Sequence, residues 1–298
     1  MYLYNIVVGI IFSSQIGVGV FGNSLFLCCF GLTLFRSNRS RPMEPIVVQL
    51  MLTNTIVLLS QGCPLVLFHL QKGYFLGNAG CKMVFYLHRV GRGHSICTTC
   101  LLSVFQAATI SPSHSRLGKL KVRILKFIRP LCLLCWTFNM IIEMNAPMYI
   151  TESRSVNSSH QGGLDLLYCH RERAPKELTI LHSLRDIFFV GCMVFASGYM
   201  VFSLYRHHQR VHHIHSSCLS PRTFPEVKAT QTILLLVSIF FTAYCISCGL
   251  TLYKVYAISS GTCVVIVATF IALCFPTISP FLLIHRVTQT SKSCCTCW

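Results

Sequence analysis

FYLHRVGRGHSICTTCLLSVFQAATISPSHSR, residues 85–116, is the stretch on which the reading of this chain turns. A helix needs roughly 20 apolar residues to cross a bilayer. The segment 82–110 has that length and is apolar toward its end, yet it holds His88, Arg89, Arg92, His94 and Gln106. Charged side chains inside a membrane are tolerated where they face a protein bundle or a water-filled cavity. The stretch is therefore either a loop between spans or the innermost helix of a bundle, and its surroundings decide between the two.

Outward from it lie six clear apolar runs, near residues 6–34, 46–70, 128–150, 187–205, 229–253 and 258–285. Of the 298 residues, 53% are hydrophobic and 11% charged, where soluble domains carry about a quarter charged. The mean hydropathy is +0.61. A water-soluble protein of this size lacks the polar surface it needs at such a composition. The net charge of +17 would fit nucleic-acid binding. Here the basic residues sit in short clusters between membrane-length runs, which is what insertion produces, and a nucleic-acid partner is set aside.

Those clusters fix the number of crossings. Arg36, Arg39 and Arg41 form the first. Arg116, Lys119, Lys121, Arg123, Lys126 and Arg129 form the second, and Arg206, Arg210, Arg222 and Lys228 the third. Seven spans put all three on one side with Arg286 and Lys292, whereas six spans move the third across and violate the positive-inside rule. The expected architecture is an all-α membrane protein, a single seven-helix domain over 1–298, with the amino terminus outside and the carboxyl terminus cytosolic. The segment before residue 6 has no basic residue, which fits an outside location; it also lacks a signal peptide's charged start and small-residue cleavage site, so the first span is expected to serve as its own insertion signal. Two glycosylation sequons, at Asn38 and Asn157, then fall on opposite sides, and only Asn157 is exposed to the glycosylating compartment.

Arg89 and Arg92 are three residues apart and share a helix face. At about 1.5 Å per residue they lie roughly 12–17 Å below Cys81, which marks the outer end of their helix. Each costs about 2.5–3.5 kcal/mol at the bilayer centre, so the pair needs partners. Glu143 and Asp186 are the candidate carboxylates. One reading is an internal salt-bridge network that holds the bundle. The other is a polar pocket, with His88, for an anionic or hydrogen-bonding ligand.

The 18 cysteines mostly lie within apolar runs, where a free thiol is a small apolar group. Cys97-x-x-Cys100 and Cys132-x-x-Cys135 have redox or zinc spacing but fall inside predicted helices. Cys81 and Cys169 both face the oxidising side, where a disulfide is permitted; the residues alone leave the pairing open. His207, His208, His212, His213 and His215 sit beside Arg206 and Arg210, and read as a patch near anionic lipid rather than a zinc site. Cys294, Cys295 and Cys297 follow the last span and are palmitoylation candidates by position. No enzyme motif is found: neither H-E-x-x-H nor G-x-S-x-G is present, nor a Gly-rich phosphate loop. No cofactor or metal is implied.

The stretch at 85–116 resembles the third helix and following loop of vomeronasal type-1 receptors. RDIFFVGCMVFASGYMVFSLYRHHQRVHHIHS at 185–216 resembles their fifth helix, LSPRTFPEVKATQTILLLVSIFF at 219–241 their sixth, and FPTISPFLLI at 275–284 their seventh. Gly22-Asn23 and Asn54 also fit, and the similarity runs nearly end to end. The resemblance implies a chemosensory G-protein-coupled receptor in the plasma membrane. It would bind a small pheromone-like cue in the bundle and activate a heterotrimeric G protein of the Gi/Go class. It also implies a Cys81–Cys169 bridge, a glycan at Asn157, and G-protein contact on the basic loops, chiefly Arg116, Lys119, Lys121, Arg206 and Arg210. The D-R-Y, C-W-x-P and N-P-x-x-Y signatures usual in rhodopsin-like receptors are missing: Ile110, Ser111 and Pro112 stand near the first, and Ser279-Pro280 at the last. Leu117 departs from the aromatic residue the resemblance would lead one to expect. The alternatives are another chemosensory receptor, of the bitter-taste kind, or a transporter. The absence of an inverted repeat and of paired interrupted helices counts against the transporter.

Overall fold

The computed structural model describes residues 2–36, 43–71, 76–111, 116–152, 164–166, 169–171, 175–214, 225–256 and 262–295. Helix α1 spans Tyr2–Arg36. The second long rod is composite: α2 (Glu44–Val57), a π-helical turn at Leu58–Gly62, and α3 (Cys63–Gln71). Then follow α4 (Asn78–Ile110), α5 (Arg116–Glu143), α6 (Lys176–Ile214), α7 (Pro225–Tyr256) and α8 (Thr262–Cys295). Seven long rods result. They overrun the apolar runs of the sequence, because Lys, Arg and Glu continue a helix as readily as Leu does.

Six of the rods carry a window apolar enough to cross a bilayer: Leu3–Cys29, Glu44–Leu70, Lys126–Tyr149, Lys176–Arg206, Thr230–Leu250 and Cys263–His285. Helix α4, 33 residues long, is not among them. Its burial explains how it sits in a membrane protein. From Val90 to Ala108 nearly every residue except Arg92, Leu101 and Val104 is buried against neighbouring helices. The side chains there are small: Gly91, Gly93, Ser95, Cys97, Thr98, Thr99, Cys100, Ser103, Ala107 and Ala108. Small residues let helix backbones approach where no hydrophobic effect drives them together. The hydroxyls satisfy themselves on their own helix, Thr98 Oγ1 donating to His94 O at 2.6 Å and Ser103 Oγ to Thr99 O at 2.9 Å. Outer faces show the converse. Leu133, Leu134 and Ile141 of α5 and Ile187, Phe188 and Phe195 of α6 are exposed, as lipid-facing residues are.

Helix α8 bends its hydrogen-bonding around two prolines, Pro276 and Pro280. Pro280 has no N–H, so the carbonyl four residues earlier, on Pro276, loses its helical partner. Asn23 of α1 supplies one: its Nδ2 donates to Pro276 O at 3.0 Å and to Gly19 O at 2.7 Å. Asn54 of α2 donates to Ser279 Oγ at 2.8 Å. Gly22 lets the two helices approach closely here, since a Cβ would lie 2.8 Å from the Phe281 ring, which would have to shift.

The connection between α5 and α6 departs from the all-helical expectation. Strands β1 (Ile150–Glu152), β2 (Leu164–Leu166) and β3 (Cys169–Arg171) form an antiparallel sheet in the order β1-β3-β2. Cys169 is disulfide-bonded to Cys81 at the start of α4, with Cα atoms 6.0 Å apart. Buried Ile150 packs with the two cysteines. Strands of three residues are too short for a hydropathy pattern to reveal, and the bridge holds them over the bundle.

Candidate functional site: a cavity beside a buried ion-pair network

A cavity opens between the π turn and α2, α4, α7 and α8. It encloses about 570 Å³ of empty volume, counting its open mouth. Val57, Phe240, Ala243, Ala272, Phe275 and Pro276 supply its apolar wall, and Gln61, His88, Arg92, Ser95, Tyr244 and Ser247 its polar positions. A mostly apolar concavity with a few convergent polar groups is the usual form of a small-molecule site.

Beside it lies the ion-pair network. Glu143 of α5 is completely buried. Its carboxylate accepts from Arg89 Nε at 2.6 Å and from Arg185 Nη1 at 2.7 Å. His182 Nε2 stands 3.2 Å from the same group. Arg185 also donates to the neighbouring Asp186 through Nε at 2.9 Å, and to Asn139 Oδ1 at 3.3 Å. Asp186 in turn accepts from the Tyr244 hydroxyl at 3.1 Å. One connected cluster thus joins α4, α5, α6 and α7. Gly93 makes room for it: a Cβ there would run into Asn139 Oδ1 and come within 2.8 Å of Arg185 Nη1.

The residues singled out in the sequence divide between these two places. His88 and Arg92 line the cavity. Arg89, Glu143 and Asp186 belong to the network. The expected pairing of both α4 arginines with both carboxylates is realised for Arg89 and Glu143. Among the described residues Arg92 has no carboxylate within 4 Å; its guanidinium lies 5.4 Å from the centroid of the Tyr244 ring. The partner of Asp186 is Arg185, at the edge of the apolar run 187–205. Arg185, Tyr244, Gln61 and Asn139 were not foreseen. The adjacency of Arg185 to one of only eight acids in the chain was the available signal.

Other expected residues lie away from the cavity. Arg116, Lys119 and Lys121 are on the first turns of α5, and Arg206 and Arg210 near the end of α6. Arg206 is exposed, its guanidinium 5.9 Å from the Phe202 ring centroid. Cys294 and Cys295 end α8, while Cys297, Asn38 and Asn157 lie outside the described residues.

The model of the vomeronasal organ pheromone receptor family matches residues 6–296. The chain belongs to that family. Human vomeronasal type-1 receptor 1 is 40% identical over 294 residues, which cover 97% of this chain and 82% of that protein. Human vomeronasal type-1 receptor 4 is 39% identical, with 97% of each chain covered. A zebrafish (Danio rerio) olfactory receptor class A-like protein 1 is 29% identical over 97% of this chain. In fold this vomeronasal-family chain is similar to squid rhodopsin, with a TM-score of 0.70 over 95% of this chain and 77% of rhodopsin at 14% identity.

This member of the vomeronasal family is accordingly a G-protein-coupled pheromone receptor, a multi-pass protein of the plasma membrane. Its partners are a small-molecule ligand and a G protein. The family is one of pheromone receptors, which disfavours the transporter and bitter-taste alternatives. Its Cys81–Cys169 bridge is formed.

Proposed function

We propose that the cavity lined by His88 and Arg92 is the ligand site, and that the Glu143–Arg185–Asp186 network carries ligand occupancy to the helix arrangement that a G protein reads. The observation that carries this reading is the contrast between three arginines of the bundle interior. Arg89 and Arg185 are paired with carboxylates, whereas Arg92, on the cavity wall with His88, lies against the Tyr244 ring and has no carboxylate within 4 Å among the described residues. Two guanidiniums are balanced by two carboxylates and the third, that of Arg92, is not, so positive charge is to spare where the cavity lies. An acceptor or anionic group on a ligand would compensate it. Only a ligand that interacts differently with two states can shift their populations. Tyr244 supports such a difference, being part of the cavity wall and bonded to Asp186 at once.

The remaining expectations belong to the same reading. The amino terminus is extracellular, and Asn157 carries a glycan. The ends of α5 and α6 with Arg116, Lys119, Lys121, Arg206 and Arg210 meet a G protein of the Gi/Go class. Cys294, Cys295 and Cys297, which follow the last apolar run in the sequence, are the palmitoylation candidates. The direct test expresses the receptor with a G-protein reporter and screens anionic and neutral volatile or steroidal cues against wild type and Arg92→Gln. Responses to anionic cues should fall by roughly tenfold or more at matched surface level, the scale of one buried charge-assisted hydrogen bond. A uniform loss that follows surface protein would make Arg92 structural and place the ligand elsewhere.

A further inference from the structure

The cavity wall carries a further polar group that Arg92 does not explain. Gln61 lies in the π-helical turn Leu58–Gly62, a local widening of the second rod. Such turns interrupt the regular ladder and occur frequently at functional sites. Helix α1 passes close behind it: a Cβ on Gly62 would collide with the Ile16 side chain, so the turn is backed by protein and cannot be swung away from the cavity cheaply. Gln61 lines the cavity, and its Oε1 is buried with no hydrogen-bond partner. His88 Nδ1, on the same cavity, is also buried and unbonded. A buried carbonyl oxygen without a donor is unfavourable and uncommon in folded proteins. An amide that a fold leaves unsatisfied on the wall of a cavity is a group waiting for the occupant to bond it. Arg92 offers only donors; Gln61 Oε1 offers only an acceptor.

From this we propose that Gln61 is a specificity-determining residue that accepts a hydrogen bond from a hydroxyl of the ligand. The ligand class is then an apolar body bearing a hydroxyl donor for Gln61 and, at a separate position, an acceptor or anionic group for Arg92. The proposal rests on the reading of the cavity as the ligand site. It makes discrimination steep, because a site built to bond a hydroxyl leaves a buried polar atom unpaired when the hydroxyl is missing.

The test uses ω-hydroxydecanoate and decanoate, whose flexible chains let both ends find their partners. Binding is measured on the purified full-length receptor in lipid nanodiscs. Wild type should bind the hydroxy acid roughly tenfold more tightly than decanoate, the scale of one buried hydrogen bond. Gln61→Leu should abolish that preference, with decanoate held at least as well as by wild type. Ligand-free Gln61→Leu should melt at the same temperature or higher, since it removes an unsatisfied amide; a clear drop would mark Gln61 as structural and overturn the proposal. A hydroxyl preference that survives in Gln61→Leu, or that wild type never shows, while Arg92→Gln weakens both acids, overturns the role of Gln61 and leaves the cavity standing. If neither acid binds wild type, or Arg92→Gln changes nothing, the cavity reading falls and this proposal with it.

Discussion

The Tyr244 hydroxyl donates to Asp186 Oδ2 across 3.1 Å, tying α7 to α6 at the edge of the cavity. The same ring lies against Arg92 and stacks near Phe240, with ring centroids 6.3 Å apart. Tyr244→Phe removes the tie and keeps the ring. A hydrogen bond to a charged group is worth about 1.5–3 kcal/mol. If it restrains the resting arrangement, its loss should raise basal signalling or shift ligand response to lower concentration by roughly tenfold. Reporter output normalised to surface receptor measures this. Unchanged basal activity and sensitivity would show that the bond has no part in the switch. Asp186→Asn should act in the same direction.

Glu143 binds two guanidiniums while fully buried. Glu143→Gln strands both, and breaking a buried pair from one side costs about 3–5 kcal/mol. Surface expression should collapse. The double variant Glu143→Gln with Arg89→Gln should recover part of it, because one stranded cation is gone. A double variant as poor as the sum of the singles would show that Arg89 and Glu143 act independently.

The Cys81–Cys169 bridge joins residues separated by 88 positions. A native disulfide typically contributes about 2–4 kcal/mol. Cys81→Ser and Cys169→Ser should each lower the surface level, with the double variant little worse than either single. Additive losses would point to separate roles for the two cysteines. Thermal melting of purified receptor offers an independent readout.

Orientation is checked by the two sequons. Removing Asn157 should abolish the glycosidase-sensitive gel shift, and removing Asn38 should leave it unchanged. A shift that depends on Asn38 would invert the topology.

Much of the architecture was legible because insertion into a bilayer is decided locally. Each span must be apolar along its own length, and basic residues must be retained on one side; both rules are sums over neighbouring residues. Six rods therefore read directly as hydropathy, and the polar α4 followed from counting charge across the whole chain. Helix ends read less well, since α5 and α6 continue through charged residues beyond the lipid. The small sheet between them left no periodic trace.

Family membership could be read from long blocks such as 85–116 and 185–216, and with it the pairing that the cysteines' positions alone left open. What only the tertiary structure decided is which charges meet. Arg89 and Arg92 are alike in type and one turn apart, yet one binds Glu143 and the other faces the cavity. That division depends on how α4, α5, α6 and α7 are rotated and how deeply each sits relative to the others. It brought Arg185 between two carboxylates, placed Tyr244 against both Arg92 and Asp186, and left Gln61 on the cavity wall with an unbonded oxygen. Hydropathy along one helix carries no information about its rotation against another, because buried polar groups are stabilised by contacts between segments far apart in the chain.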